Sequence, residues 1–238
     1  MSLPPKTRWT IVASGLVAHA DHVLTGEECE RLMAMVDAQV DGDDYAEWMD
    51  TISNAEKLEE LLKTLPPPPP EDHRQILEDA WLMAVVDGER ADEEITALER
   101  IAERFGVEPL QLEFWREAWT EAQQTHAQGV SIALGWVMSG GEAAVPDDMS
   151  TIRDTVGELP TTHEHRERLE GLASAAQDEQ TAAARIRAAG KAQRYDALQR
   201  LHAAADSASR RDEATARWRS LATAAGWDEA EIERIING

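Results

Sequence analysis

Cysteine, phenylalanine, tyrosine and positive charge are all scarce in this chain of 238 residues. The single cysteine, Cys29, excludes an intrachain disulfide and suits a reducing compartment. With two Phe, two Tyr and no sustained β-branched alternation, the material for strands is missing. Long apolar runs are missing as well. The longest, Val130 to Met138, is far too short to cross a bilayer. The apolar start of the chain is interrupted by Thr10, Ser14, His19 and Asp21, so it reads as a helix rather than an export signal. The expectation is a cytoplasmic protein with no membrane insertion.

Lys and Arg number 23 against 46 Asp and Glu, a net charge of −23. Such a field repels phosphate backbones, whose binding relies on Lys and Arg displacing counterions, and this argues against a nucleic-acid partner. Divalent cations and a protein partner with a basic surface are the classes it would attract. The acid is concentrated, with 28 acidic against 10 basic side chains in residues 1–125 and 18 against 13 in residues 126–238. Sequence signatures of catalysis are absent too. There is no Gly-x-Ser-x-Gly, no phosphate-cradling Gly-x-x-x-x-Gly-Lys and no dinucleotide fingerprint. Cys29 lies between Glu28 and Glu30, which oppose its ionisation. The chain reads as non-catalytic.

What is present is helical periodicity. Ile76, Leu77, Ala80, Trp81 and Ala84 share one helix face, as do Leu98, Ile101, Ala102 and Phe105 ahead of Gly106. The spacing predicts an all-α chain, with helices over 8–20, 25–39, 44–63, 71–86, 91–105, 109–138, 147–156, 162–188, 191–205, 210–225 and 228–236. Pro66 to Pro70 form a stiff connector between two of them.

Three acidic turns repeat one pattern, Asp at one position and Glu seven residues on: Asp21 and Glu28, Asp87 and Glu94, Asp206 and Glu213. Each follows one apolar helix and opens another, although Trp218 and Leu221, after Asp206, mirror Leu98 and Ile101 only with one extra loop residue. A fourth, degraded copy places Gly141 at the Asp position and Asp148 at the Glu position. Asp21 and Asp87 lie 66 residues apart, and Gly141 and Asp206 lie 65 apart. This near-equality predicts two tandem helical bundles related by duplication, module A over 1–125 and module B over 126–238.

Two readings of the turns follow. Convergence of Asp21, Glu28, Asp87 and Glu94 would gather carboxylates that repel one another unless a cation intervenes, a set suited to a hard divalent ion. The plainer reading is capping, since Thr25 and Glu28 have capping-box spacing and first-turn acids favour the helix dipole. An EF-hand is excluded, because Asp92 stands where its Gly would be and Leu98 where its last Glu would be. His19 and His22 could add imidazole nitrogen beside Asp21, and His163, Glu164, His165 and Glu167 form a second cluster; a solvated helix face is the simpler reading of each. Trp48, Trp81, Trp115, Trp119, Trp136, Trp218 and Trp227 are distributed through the helices rather than grouped in a basic groove, and read as core.

The segment AVVDGERADEEITALERIAERFG, an Ala-rich helix, an Asp-Gly turn and a Glu that opens a second amphipathic helix, resembles the tellurite-resistance TerB family and its relatives, among them the DjlA N-terminal module. The resemblance implies an all-α, internally duplicated helical bundle and a stress-response or signalling setting. It also implies either binding of a divalent cation (Ca, Mg, Mn or Zn) through the acidic turns or a role as an assembly platform. By position it carries the family acids onto Asp21, Glu28, Asp87 and Glu94, and in module B onto Asp206 and Glu213, with Asp148 as a third. His22 and Ser207 stand where the turn glycine would be.

Overall fold

The computed structural model describes residues 3–40 and 42–237, and among them are thirteen α-helices and no strand. The chain forms two compact units, residues 1–121 and 122–238. No helix among the described residues is long and apolar enough to cross a membrane.

The first unit contains α1 (Pro5–Ala18), α2 (Gly26–Gln39), α3 (Tyr45–Ile52), α4 (Ala55–Thr64), α5 (Pro70–Met83), α6 (Asp92–Phe105) and the start of α7 (Pro109–Ser139). Trp9 through Ala18 are all buried, and a helix buried on every side belongs at the centre. The other five helices pack around α1. The Trp9 indole N–H donates to the Pro66 carbonyl at 2.8 Å, and its ring meets Phe105 edge-on at 4.9 Å. The proline segment is thereby held as an internal connector. Its last residue, Pro70, opens α5, where the missing N–H costs no helical bond.

Two expected helices are each divided. The stretch 44–63 is α3 and α4, because the Asn54 side chain accepts the Glu56 and Lys57 amides and starts a new helix. The stretch 162–188 is α9 (His163–Ser174) and α10 (Glu179–Ala188), where Asp178 accepts the Thr181 amide at 2.9 Å. In both cases a side-chain cap outweighs continuous helical periodicity.

The second unit is built from the end of α7, α8 (Met149–Gly157), α9, α10, α11 (Lys191–Asp206), α12 (Arg211–Ala224) and α13 (Glu229–Asn237). Its core gathers Val130, Leu134, Val137, Ile152, Leu198 and Leu201 around the fully buried Trp218, whose N–H donates to the Leu198 carbonyl at 2.9 Å. All seven tryptophans expected in the core pack into or against one of the two cores.

Candidate functional site

The first two acidic turns are alike in detail. Asp21 accepts the Val23 amide at 2.8 Å and Asp87 the Glu89 amide at 3.0 Å, so each carboxylate folds back on its own turn. The next residue is left-handed in both, His22 at φ 68° and Gly88 at φ 92°. His22 therefore keeps the turn despite lacking the freedom of glycine, at a backbone cost of about 1–2 kcal/mol. His22→Gly is expected to raise stability by up to about 1 kcal/mol in urea denaturation. A loss of stability would show instead that the imidazole supports the turn.

Each turn then delivers a buried glutamate to a helix start. Thr25 donates its amide and hydroxyl to Glu28, both at 2.8 Å, and the Glu28 amide returns a bond to the Thr25 hydroxyl at 3.3 Å. The Ala91 amide donates to Glu94 at 2.6 Å. Both glutamates are almost fully buried, at 4% and 6% exposure, although a capping role alone would leave them at the surface. Burial pushes the Glu28 carboxyl up from its ordinary value, with Asp87 and Asp21 adding to the rise. Burial likewise pushes Glu94 up to about 8, and Glu28, Asp87 and Asp21 all repel its charge. The four acids thus share one electrostatic environment.

Their donor chemistry suits a hard divalent ion, but their present orientations do not form a coordination sphere. Among the described residues, no group of three or more His, Cys, Asp or Glu side chains is arranged to hold a metal ion. The imidazoles do not complete one: His19 Nε2 lies 2.8 Å from the Ile52 carbonyl. His163 and Glu167 are exposed, and Glu164 pairs with Arg168. Cys29 is half-buried, its thiol against Met33.

One nearby cation had no sequence signal. Arg90 lies over the Trp81 ring at 3.6 Å, and burial lowers its pKa to about 10 while the Glu94 charge opposes that fall. Trp81 is core on one side, donating to the Thr120 hydroxyl at 3.2 Å, and a platform for guanidinium on the other.

The second unit's acids are arranged differently. Five of the six positions buried in α6, Glu94, Leu98, Ile101, Ala102 and Phe105, recur 120 residues later in α12 and its C-cap as Ala214, Trp218, Leu221, Ala222 and Ala225; the sixth, Ala97, corresponds to the half-buried Arg217. Both helices end on left-handed glycines, Gly106 and Gly226, with the next amide bonded to Ala102 and Ala222 respectively. Ala214 therefore stands in the place of Glu94. Glu213, expected there from the sequence, lies beside it, exposed and paired with Arg217 at 2.8 Å. Asp148 is buried like Glu28 and accepts the Ser209 amide at 2.7 Å, and Asp206 pairs with Arg211 at 2.7 Å. Ser207 is right-handed, so that turn lacks the bend found at His22 and Gly88.

No curated protein and no solved structure matches the chain. Residues 8–117, which hold both acidic turns of the first unit, match the family model described as tellurite resistance protein TerB, so the first unit is a TerB-like helical module.

Proposed function

We propose that the TerB-like unit binds a divalent cation through Asp21, Glu28, Asp87 and Glu94, in the stress-response setting that the family's name suggests. The observation that carries this reading is the gathering of four carboxylates, two of them buried, in which burial first and then the charges of Glu28, Asp87 and Asp21 raise the Glu94 pKa to about 8. A cation relieves that repulsion where protons otherwise must. All-oxygen donors favour Ca, Mg or Mn over Zn. Asp21 and Asp87 would have to leave the Val23 and Glu89 amides, which the exposed position of Asp21 permits. Binding at neutral pH would release a proton from Glu94, because ligation needs the ionised carboxylate.

Calorimetric titration with each of the four ions, in two buffers of different ionisation enthalpy, tests this. Wild type is expected to bind one ion with proton release, and Asp21→Asn/Asp87→Asn to bind at least ~10-fold more weakly. Absence of heat from every ion, or equal binding by the variant, would end the reading.

The recurrence at 120 residues supports a related reading of module B, residues 126–238, as a divergent copy in which arginines and a backbone amide have taken over the neutralising role. The concentration of acid in the first half favours a second function, an acidic scaffold that receives a basic protein surface without metal. In that case the turns serve only as helix caps.

A further inference from the structure

We propose that the groove between the end of α6 and the start of α7 docks a basic amphipathic helix of a partner protein, anchored on the exposed pair Leu110 and Phe114. The side of α7 that enters the core is marked by Leu112 and Trp119, seven residues apart and each 3% exposed. At about 100° per residue, Leu110 and Phe114 lie one turn apart on the opposite side of the helix. They are 80% and 68% exposed, the two most exposed large apolar side chains among the described residues. The other phenylalanine of the chain, Phe105, is core. A single exposed leucine is ordinary, but a leucine and a phenylalanine four residues apart on one helix face, beside a groove, mark an interaction surface.

The groove forms where the chain reverses at the left-handed Gly106 and the Val107 amide closes on the Ala102 carbonyl. It has a volume of about 840 Å³, an apolar floor of Ala102, Val107 and Leu112, and Leu110 in its wall. Its charge is acidic. Glu103, Glu108 and Glu113 line it, all exposed and in no ion pair among the described residues. Its two arginines are already matched, Arg100 by Glu59 at 2.7 Å and Arg116 by Glu99 at 3.1 Å. A basic amphipathic helix answers both features at once. Apolar residues three or four apart would cover Leu110 and Phe114, while flanking Lys or Arg would meet the three free glutamates. An extended segment would find no strand edge to join among the described residues. A second copy, packed through the same face, would set its own Glu103, Glu108 and Glu113 against these, and like charges oppose that contact.

The proposal rests on the scaffold reading for its basic partner and holds whether or not the acidic turns also take a cation. Full-length protein is titrated calorimetrically with a Leu-Lys peptide patterned as an amphipathic helix and, separately, with a peptide of the same composition shuffled to have no apolar face. One saturable site is expected for the patterned peptide. Binding should weaken about 10-fold or more in Leu110→Ser/Phe114→Ser. It should also weaken in Glu103→Gln/Glu113→Gln, with a smaller loss on adding salt than wild type shows. All four side chains are exposed, so thermal melting followed by circular dichroism should match wild type in both variants. Binding of the patterned peptide that is undiminished by Leu110→Ser/Phe114→Ser, or equalled by the shuffled peptide, overturns this docking face and leaves the scaffold reading standing. Lack of saturable binding by either peptide ends both. Binding that needs Leu110 and Phe114 but not the glutamates overturns the basic partner. Self-association of wild type that Leu110→Ser/Phe114→Ser abolishes, seen in sedimentation at rising concentration, would make a second copy the occupant and overturn the proposal as well.

Discussion

Glu94→Gln is expected to stabilise the first unit at pH 8 and to remove much of the fall in stability that wild type shows as pH rises. The carboxyl is raised from 4.5 to about 8 in the folded state, by burial first and then by Glu28, Asp87 and Asp21. Between those values the folded chain keeps a proton that the unfolded chain has released. Stability is therefore full below about pH 4.5 and falls as pH rises to about 8, with a slope of up to about 1.4 kcal/mol per pH unit. Glutamine cannot ionise, yet its side-chain oxygen can still accept the Ala91 amide. Urea denaturation at pH 5, 6, 7 and 8 should show the variant gaining on wild type at each step. Equal slopes in the two proteins would mean that Glu94 is solvated. Glu28, Glu78 and Asp79 are also raised by burial, so a shallower slope of the same sign should persist in the variant.

Trp9→Ala should cost roughly 3–5 kcal/mol, the range for deleting a large buried aromatic side chain. At 1% exposure Trp9 joins the start of α1 to the proline connector and to Phe105, so its removal opens a cavity and frees the Pro66 carbonyl together. Trp9→Phe keeps most of the volume but leaves that carbonyl without its donor, at about 1–2 kcal/mol. Urea denaturation followed by circular dichroism measures both. A loss below ~1 kcal/mol for the alanine variant would contradict a buried α1 start.

Much of the candidate site was legible because its signals are local. The seven-residue spacing from Asp21 to Glu28 and from Asp87 to Glu94 sets both the turn and the helix start it feeds. The capping geometry at Thr25 followed from its own neighbours. His22 was harder, since its left-handed backbone is imposed by the turn rather than favoured by the residue. Glu213 was misplaced by one residue, because the Asp-to-Glu spacing matched while the buried face of α12 had moved. Only Trp218 and Leu221, set against Leu98 and Ile101, give the true register. Arg90 and Arg217 carried no signal at all: a lone arginine looks alike whether it is solvated or, like Arg217, reaches carbonyls about 80 residues away.

The sequence by itself determined the helical class, the acidic charge, the two acidic turns of the first unit and that unit's likeness to TerB, since these depend on composition and on contacts within a few residues. Tertiary packing decided which glutamates are buried and which acids feel one another. It also decided that the end of α7 receives Arg217. Burial and long-range electrostatics arise only when distant helices close on one another, so spacing along the chain does not encode them directly.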